Sequence, residues 1–169
     1  LDLNREKWKM KRLLGCVALL ALTAGTVAAQ DAAPAHKFVN PTSIQWGAPP
    51  PVFEKGMSFA VIAGDPSKEG LYVVRLKIPA GYKIMPHWHP TDEHVTVLSG
   101  GFAVGMGETF DQKTMTKLPA GGYALLPAEM RHYAMATSAA LIQVHGMGPF
   151  ALTYVHPEDD PSKRATAAK

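Results

Sequence analysis

The sequence predicts an all-β fold, a sandwich or barrel of short strands. Three observations carry that expectation. Eight β-rich runs follow one another, Gly and Pro separate them at short intervals, and 169 residues suit a single domain.

The first 29 residues stand apart. Met10-Lys-Arg precedes "LLGCVALLALTAGTV" and then Ala28-Ala29-Gln30. The order charged, apolar, small marks a cleavable secretion signal with Met10 as its start, and residues before Met10 are read as upstream sequence without a structural role. The apolar run from Leu13 to Val27 is short of the roughly 20 residues of a membrane span. Cys16 opens this run instead of following it, which argues against lipidation. It is also the one cysteine, so the mature chain has no disulfide, thiolate ligand or thiol nucleophile. A periplasmic or secreted protein is expected, free of the membrane once the signal is removed.

From 30 to 57 the chain is rich in Pro and Ala and ends in "GAPPPVF", a stretch read as an extended lead-in. The strands begin with "SFAVIAG" from Ser58, "LYVVRLKI" from Leu71, "HVTVLSG" from His94 and "GFAVGMG" from Gly101. "YALLP" from Tyr123, "HYAMA" from His132, "ALIQVHG" from Ala140 and "FALTYV" from Phe150 complete them. Glu108 to Lys117 reads as a loop or helical turn. The domain is placed at 58–157, with a charged, alanine-rich tail at 158–169 expected to fray.

The net charge of +3 resides at the N-terminus, since bases and acids balance from Gln30 onward. No basic face for nucleic acid is expected. GxSxG, phosphate-binding glycine loops and dinucleotide fingerprints are missing from the sequence.

Chemistry concentrates in "GYKIMPHWHPTDEHVTVLSG", Gly81 to Gly100. Residues two apart on a strand share a face, so His87 and His89 aim into one space while Trp88 faces away. Glu93 follows closely enough to turn its carboxylate over the same space, which sends His94 outward. His132 opens a later strand beside the small Ala134 and Ala136 and is the fourth donor. Three imidazoles and one carboxylate suit a divalent transition metal, whether Fe, Mn, Zn, Ni or Cu. On "LIQVHG", Gln143 and His145 share a face and are candidates to touch substrate if that face looks inward. An exposed polar face is the equal alternative. Glu129 reads as a turn residue or as an acceptor for an imidazole N–H. Tyr82, Tyr123 and Tyr133 are read as packing residues or as the rim of a pocket.

The spacing G(x5)HxH(x3)E(x6)G from Gly81 through His87, His89 and Glu93 to Gly100 resembles the first motif of the cupin superfamily without a mismatch. The second motif, G(x5)PxG(x2)H(x3)N, is matched at Gly121, Pro127 and His132 and departs at Glu129 and Ala136. The resemblance spans about Ser58 to Val155 and implies a jelly-roll β-barrel with one metal inside, as in exported single-domain bacterial cupins. It also implies that Glu93 acts as a base when released from the metal, and that a homodimer forms through N-terminal strands. The activity expected is a metal-dependent enzyme acting on a small oxygenated molecule, dioxygenase-like ahead of lyase or isomerase chemistry. The other reading is an exported module that binds or senses metal or a small ligand without turnover.

Overall fold

Ten short strands arise where apolar and polar residues alternate. They are β1 (Ser58–Ala63), β2 (Gly70–Ile78), β3 (Lys83–Trp88), β4 (Glu93–Ser99), β5 (Gly101–Met106), β6 (Thr116–Pro119), β7 (Tyr123–Leu126), β8 (His132–Ala136), β9 (Ala140–Gly148) and β10 (Thr153–Tyr154). The computed structural model describes residues 36–167. The expected secretion signal at 1–29 and the lead-in residues 30–35 lie outside the described residues.

The strands form two five-stranded antiparallel sheets, ordered β1-β2-β9-β4-β7 and β10-β3-β8-β5-β6. Each sheet turns one face inward, and together they make the expected jelly-roll sandwich. Tyr72, Val74, Leu76 and Ile78 on β2 meet Val95 and Val97 on β4 and Ile142 and Val144 on β9. Ile84, Phe102, Val104, Ala134 and Ala136 face them from the second sheet. Each large side chain buried here contributes about 1.5–3 kcal/mol, and the layer between the sheets is where the site lies.

Two strands join the eight expected. β6 is an edge strand, where Pro119 is tolerated because its missing N–H interrupts no ladder. β3 lies inside its sheet despite Pro86, because its register against β8 slips by one residue between Ile84 and His87. This bulge accommodates the proline and turns both Ile84 and His87 inward, which regular alternation forbids for residues three apart. The turn from β4 to β5 needs Gly100, whose φ is +76° and whose added Cβ would lie 2.0 Å from the Ala139 carbonyl oxygen.

The described parts of the flanking segments carry local structure of their own. A 3-10 turn forms at Pro41–Ser43 beneath an Asn40 cap, and Gly47 exchanges two backbone hydrogen bonds of 2.9 Å with Phe59. Phe53 and Met57 of the lead-in are buried in the core. The packed unit therefore extends ahead of the expected boundary at residue 58. In the tail, Pro157–Asp159 makes a 3-10 turn and α1 (Pro161–Ala167) follows it. Asp160 accepts from the Ser162 N–H and hydroxyl, and Arg164 pairs with Glu54. Over these residues the tail that was expected to fray from 158 carries a local cap and one long-range ion pair.

Candidate metal centre

His87 and His132 are directly paired residues on β3 and β8, so one rung of the second sheet supplies two imidazoles at once. Their ring centroids are 4.2 Å apart. His89 lies just past β3, where the Glu129 N–H donates to its carbonyl at 2.8 Å, tying this loop to the turn that precedes His132. Glu93 opens β4 and reaches in from the first sheet.

The three histidines are buried, and their ligand nitrogens lie within 4.8 Å of one another. One Glu93 carboxylate oxygen, Oε2, lies 3.4 Å from His132 Nε2 and 3.6 Å from His89 Nε2. Donors bound about 2.1 Å from one ion lie about 3.0 to 3.4 Å apart in octahedral to tetrahedral geometry, so small adjustments suffice.

Backbone carbonyls orient every ring. His87 Nδ1 donates to Met85 O at 2.7 Å, His89 Nδ1 to Ala151 O at 2.7 Å, and His132 Nδ1 to Met130 O at 3.0 Å. With Nδ1 protonated, each Nε2 carries its lone pair toward the common centre. His89 Nε2 and His132 Nε2 are buried without a hydrogen-bond partner among the described residues. Orphaned buried nitrogens are costly unless a ligand completes them, and a divalent metal ion fits that need.

Protonation states agree with this fit. Burial, with His132 and His89 alongside, pulls the His87 pKa down to about 3, so its ring is neutral near pH 7. Burial pushes the Glu93 carboxyl up, but His89, His132 and His87 outweigh it and hold the group at about 2. A neutral His87 imidazole and an ionised Glu93 carboxylate are the forms that bind metal. A divalent ion bound by this set retains about one net positive charge.

The surrounding cavity, about 30 Å³, is otherwise apolar, with Phe53, Leu76, Phe102, Leu126, Ile142 and Leu152 among its walls. A second space of about 20 Å³ shares Phe53, Leu76, Glu93 and Val144 with it and extends to Phe59 and Phe150. Phe150 packs against His89 with ring centroids 5.4 Å apart.

All four expected ligands, His87, His89, Glu93 and His132, are brought together. Gln143 and His145 are not, and their expected substrate contact is corrected. Ile142 and Val144 take the inward face of β9, because burying aliphatic side chains is favourable where burying an amide and an imidazole is costly. Gln143 instead accepts from Arg75 Nε at 3.0 Å on the outer face. His145 stacks there on His94, with centroids 4.7 Å apart and planes 6° apart. His94 points outward as expected, its Nδ1 2.6 Å from the Tyr123 hydroxyl. Tyr82 and Tyr133 also spend their hydroxyls outside the cavity, on Glu54 O and on Thr114 and Asp111 O. Glu129 is a turn residue, and backbone carbonyls do the work considered for its carboxylate. Those carbonyls and the wall residues Phe53 and Phe150 had no signal at the level of motif spacing.

A family model described as the ChrR cupin-like domain matches residues 34–151, more than half of the chain. No curated protein matches by sequence. Among solved structures, an acetylacetone dioxygenase from Acinetobacter johnsonii is 14% identical with a TM-score of 0.58, covering 83% of this chain and 96% of that one. The polyketide cyclase RemF from Streptomyces resistomycificus is 15% identical with a TM-score of 0.62, covering 78% and 94%. The DMSP lyase DddQ from Ruegeria pomeroyi is 19% identical with a TM-score of 0.55, covering 69% and 64%. At such identities the likeness is one of fold.

Proposed function

The chain belongs to the family of ChrR cupin-like domains, and from that premise we propose that it is a metal-dependent enzyme acting on a small oxygenated organic molecule, with dioxygenase-like chemistry first. The observation that carries the proposal is the convergence of three oriented imidazoles and one carboxylate in an apolar cavity. The acetylacetone dioxygenase, cyclase and lyase among its structural relatives lend support to small-molecule chemistry on this frame.

His87, His89, His132 and Glu93 would hold Fe, Mn, Zn, Ni or Cu. Such an ion supplies Lewis acidity and, when redox-active, a route for electrons to oxygen. The chain's residues do the rest. The apolar walls exclude water and bind the carbon body of the substrate. Glu93 lines both spaces, and in this reading its ionised carboxylate accepts a substrate proton.

The test is elemental analysis of the purified protein followed by oxygen uptake with β-diketones, diols, flavonoids and keto acids. Metal at about one equivalent and uptake with one class support the proposal, and protein without metal sinks it. A second reading, a binding or sensing module, draws support from the apolar cavity, whose titratable side chains are the four candidate ligands. It gains if a ligand raises Tm while nothing is consumed.

Export and a homodimer belong to the same proposal. The charged, apolar, small order of residues 10–30 supports the first. Leu71, Met147, Tyr123 and Leu125, exposed on the outer face of the first sheet, support self-association. Light scattering on the mature protein reads the mass directly.

A further inference from the structure

Tyr72, Gly146 and Glu93 form one row across β2, β9 and β4. Tyr72 pairs with Gly146, and Gly146 pairs with Glu93. Directly paired residues share a face, so the phenol and the carboxylate both turn inward with a residue lacking a side chain between them. A Cβ added at Gly146 would lie 3.1 Å from the Tyr72 hydroxyl and 2.9 Å from the Asp92 carbonyl oxygen. The hydroxyl therefore occupies the room that glycine leaves, on the path toward Glu93.

Tyrosine usage sets this group apart. The chain has five tyrosines. Tyr82 bonds to Glu54 O, Tyr123 to His94, Tyr133 to Thr114 and Asp111 O, and Tyr154 to Val52 O. Tyr72 is 3% exposed, yet its hydroxyl has no hydrogen-bond partner among the described residues. The oxygen itself is not sealed, since the fully buried polar side-chain atoms without a partner among the described residues are His89 Nε2 and His132 Nε2, so the hydroxyl stays open to the adjoining space. In the space next to the candidate metal ligands, Tyr72 and Glu93 carry the polar side-chain atoms and the other lining residues are apolar. The Tyr72 ring is held edge-on to Phe150, with centroids 6.1 Å apart, and Phe150 in turn packs on His89.

We propose that Tyr72 is a ligand-contacting residue whose O–H donates a hydrogen bond to an oxygen of a small chelating molecule, apolar in its carbon body, held at the metal centre. The proposal rests on the reading of that centre given above. It assigns the ligand class by chemistry. The walls offer carbon, the metal attracts a pair of oxygens, one of them anionic, and the phenol supplies one neutral donor. Polyols and sugars, which would leave several hydroxyls facing hydrocarbon, are excluded.

The experiment uses zinc, which is redox-silent, and acetylacetone as the probe, with wild type, Tyr72→Phe, Gly146→Ala and the double variant. Zinc content is read by elemental analysis, folding by thermal melt and acetylacetone affinity by calorimetry. Tyr72→Phe is expected to keep its zinc and its melt while binding acetylacetone roughly tenfold to a hundredfold more weakly, the size expected for a hydrogen bond to a charged oxygen. Gly146→Ala should weaken binding more in the wild-type background than when Tyr72 is already Phe, the remainder coming from the contact of the new Cβ with the Asp92 carbonyl oxygen. Equal affinity of zinc-loaded wild type and Tyr72→Phe overturns the role of Tyr72 alone. Zinc-loaded wild type that takes up no acetylacetone overturns the ligand class and Tyr72 with it. A wild type that takes up no zinc strikes the metal-centre reading instead.

Discussion

Single positions determine what the site can hold and how tightly its frame is set. His132 contributes a buried nitrogen that nothing else on β8 can replace, since Ala134 and Ala136 follow it on the same face. Replacing His132 with Ala should lower zinc affinity by more than about tenfold, judged against the 10–100-fold losses seen for groups that only support a ligand. Competition against a chromophoric chelator measures it, and unchanged affinity would remove His132 from the ligand set. Glu129 stands where the second cupin motif has glycine, and its φ is +63°, the left-handed conformation that glycine adopts without strain. Glu129→Gly should therefore raise stability by about 0.5–1 kcal/mol, after the entropy that glycine loses on folding is set against the relieved strain. Urea melts decide this. The departure from the motif is thus a strained turn and leaves the candidate ligands in place.

At the scale of strands, register decides which groups meet. β4 and β9 pair so that His94 opposes His145 on the outer face while Glu93 and Gly146 meet within. The stacked histidines share a consequence of that pairing. Burial, and the neighbouring His94, lower the pKa of His145 below its ordinary value of 6.5. In the folded chain this ring resists the proton that the unfolded chain accepts. Stability contributed here is complete above about pH 6.5 and falls as the pH drops below that value, because the unfolded state binds more protons there. Removing His94 as His94→Ala should raise the His145 pKa part of the way back, as followed by NMR titration of its ring protons. A midpoint that does not move would show that burial alone sets it. The bulge in β3 belongs to the same scale, since without its one-residue slip Ile84 and His87 would face opposite ways.

For the whole molecule, the centre joins two sheets and is expected to join their stabilities. His87 and His132 come from one sheet and Glu93 from the other, so a bound ion cross-links the sandwich. Dialysis against a chelator should lower Tm, and restoring metal at about a thousandfold excess over Kd should return about 4 kcal/mol. Calorimetry with and without metal measures it, and identical melts would mean that no ion binds the folded state preferentially. The end of the lead-in is part of this body, with Phe53 at the cavity wall and Tyr154 O–H bonded to Val52 O at 2.9 Å.

The amino-acid order by itself determined the strands and the local half of the site. Alternation over runs such as Leu71–Ile78 encodes a two-faced element, and His87, His89 and Glu93 lie so close along the chain that one strand end and its loop bring them together. It also marked His132, through its place after Gly121 and Pro127. What alternation cannot encode is which of two faces turns inward, and so the fate of Gln143 and His145 depended on Ile142 and Val144 competing for the core. The meeting of His87 with His132, the row of Tyr72, Gly146 and Glu93, and the burial of Phe53 were likewise decided only by tertiary structure. Each is a contact between segments far apart in the chain, created by register and packing, and no local pattern of residues carries that information.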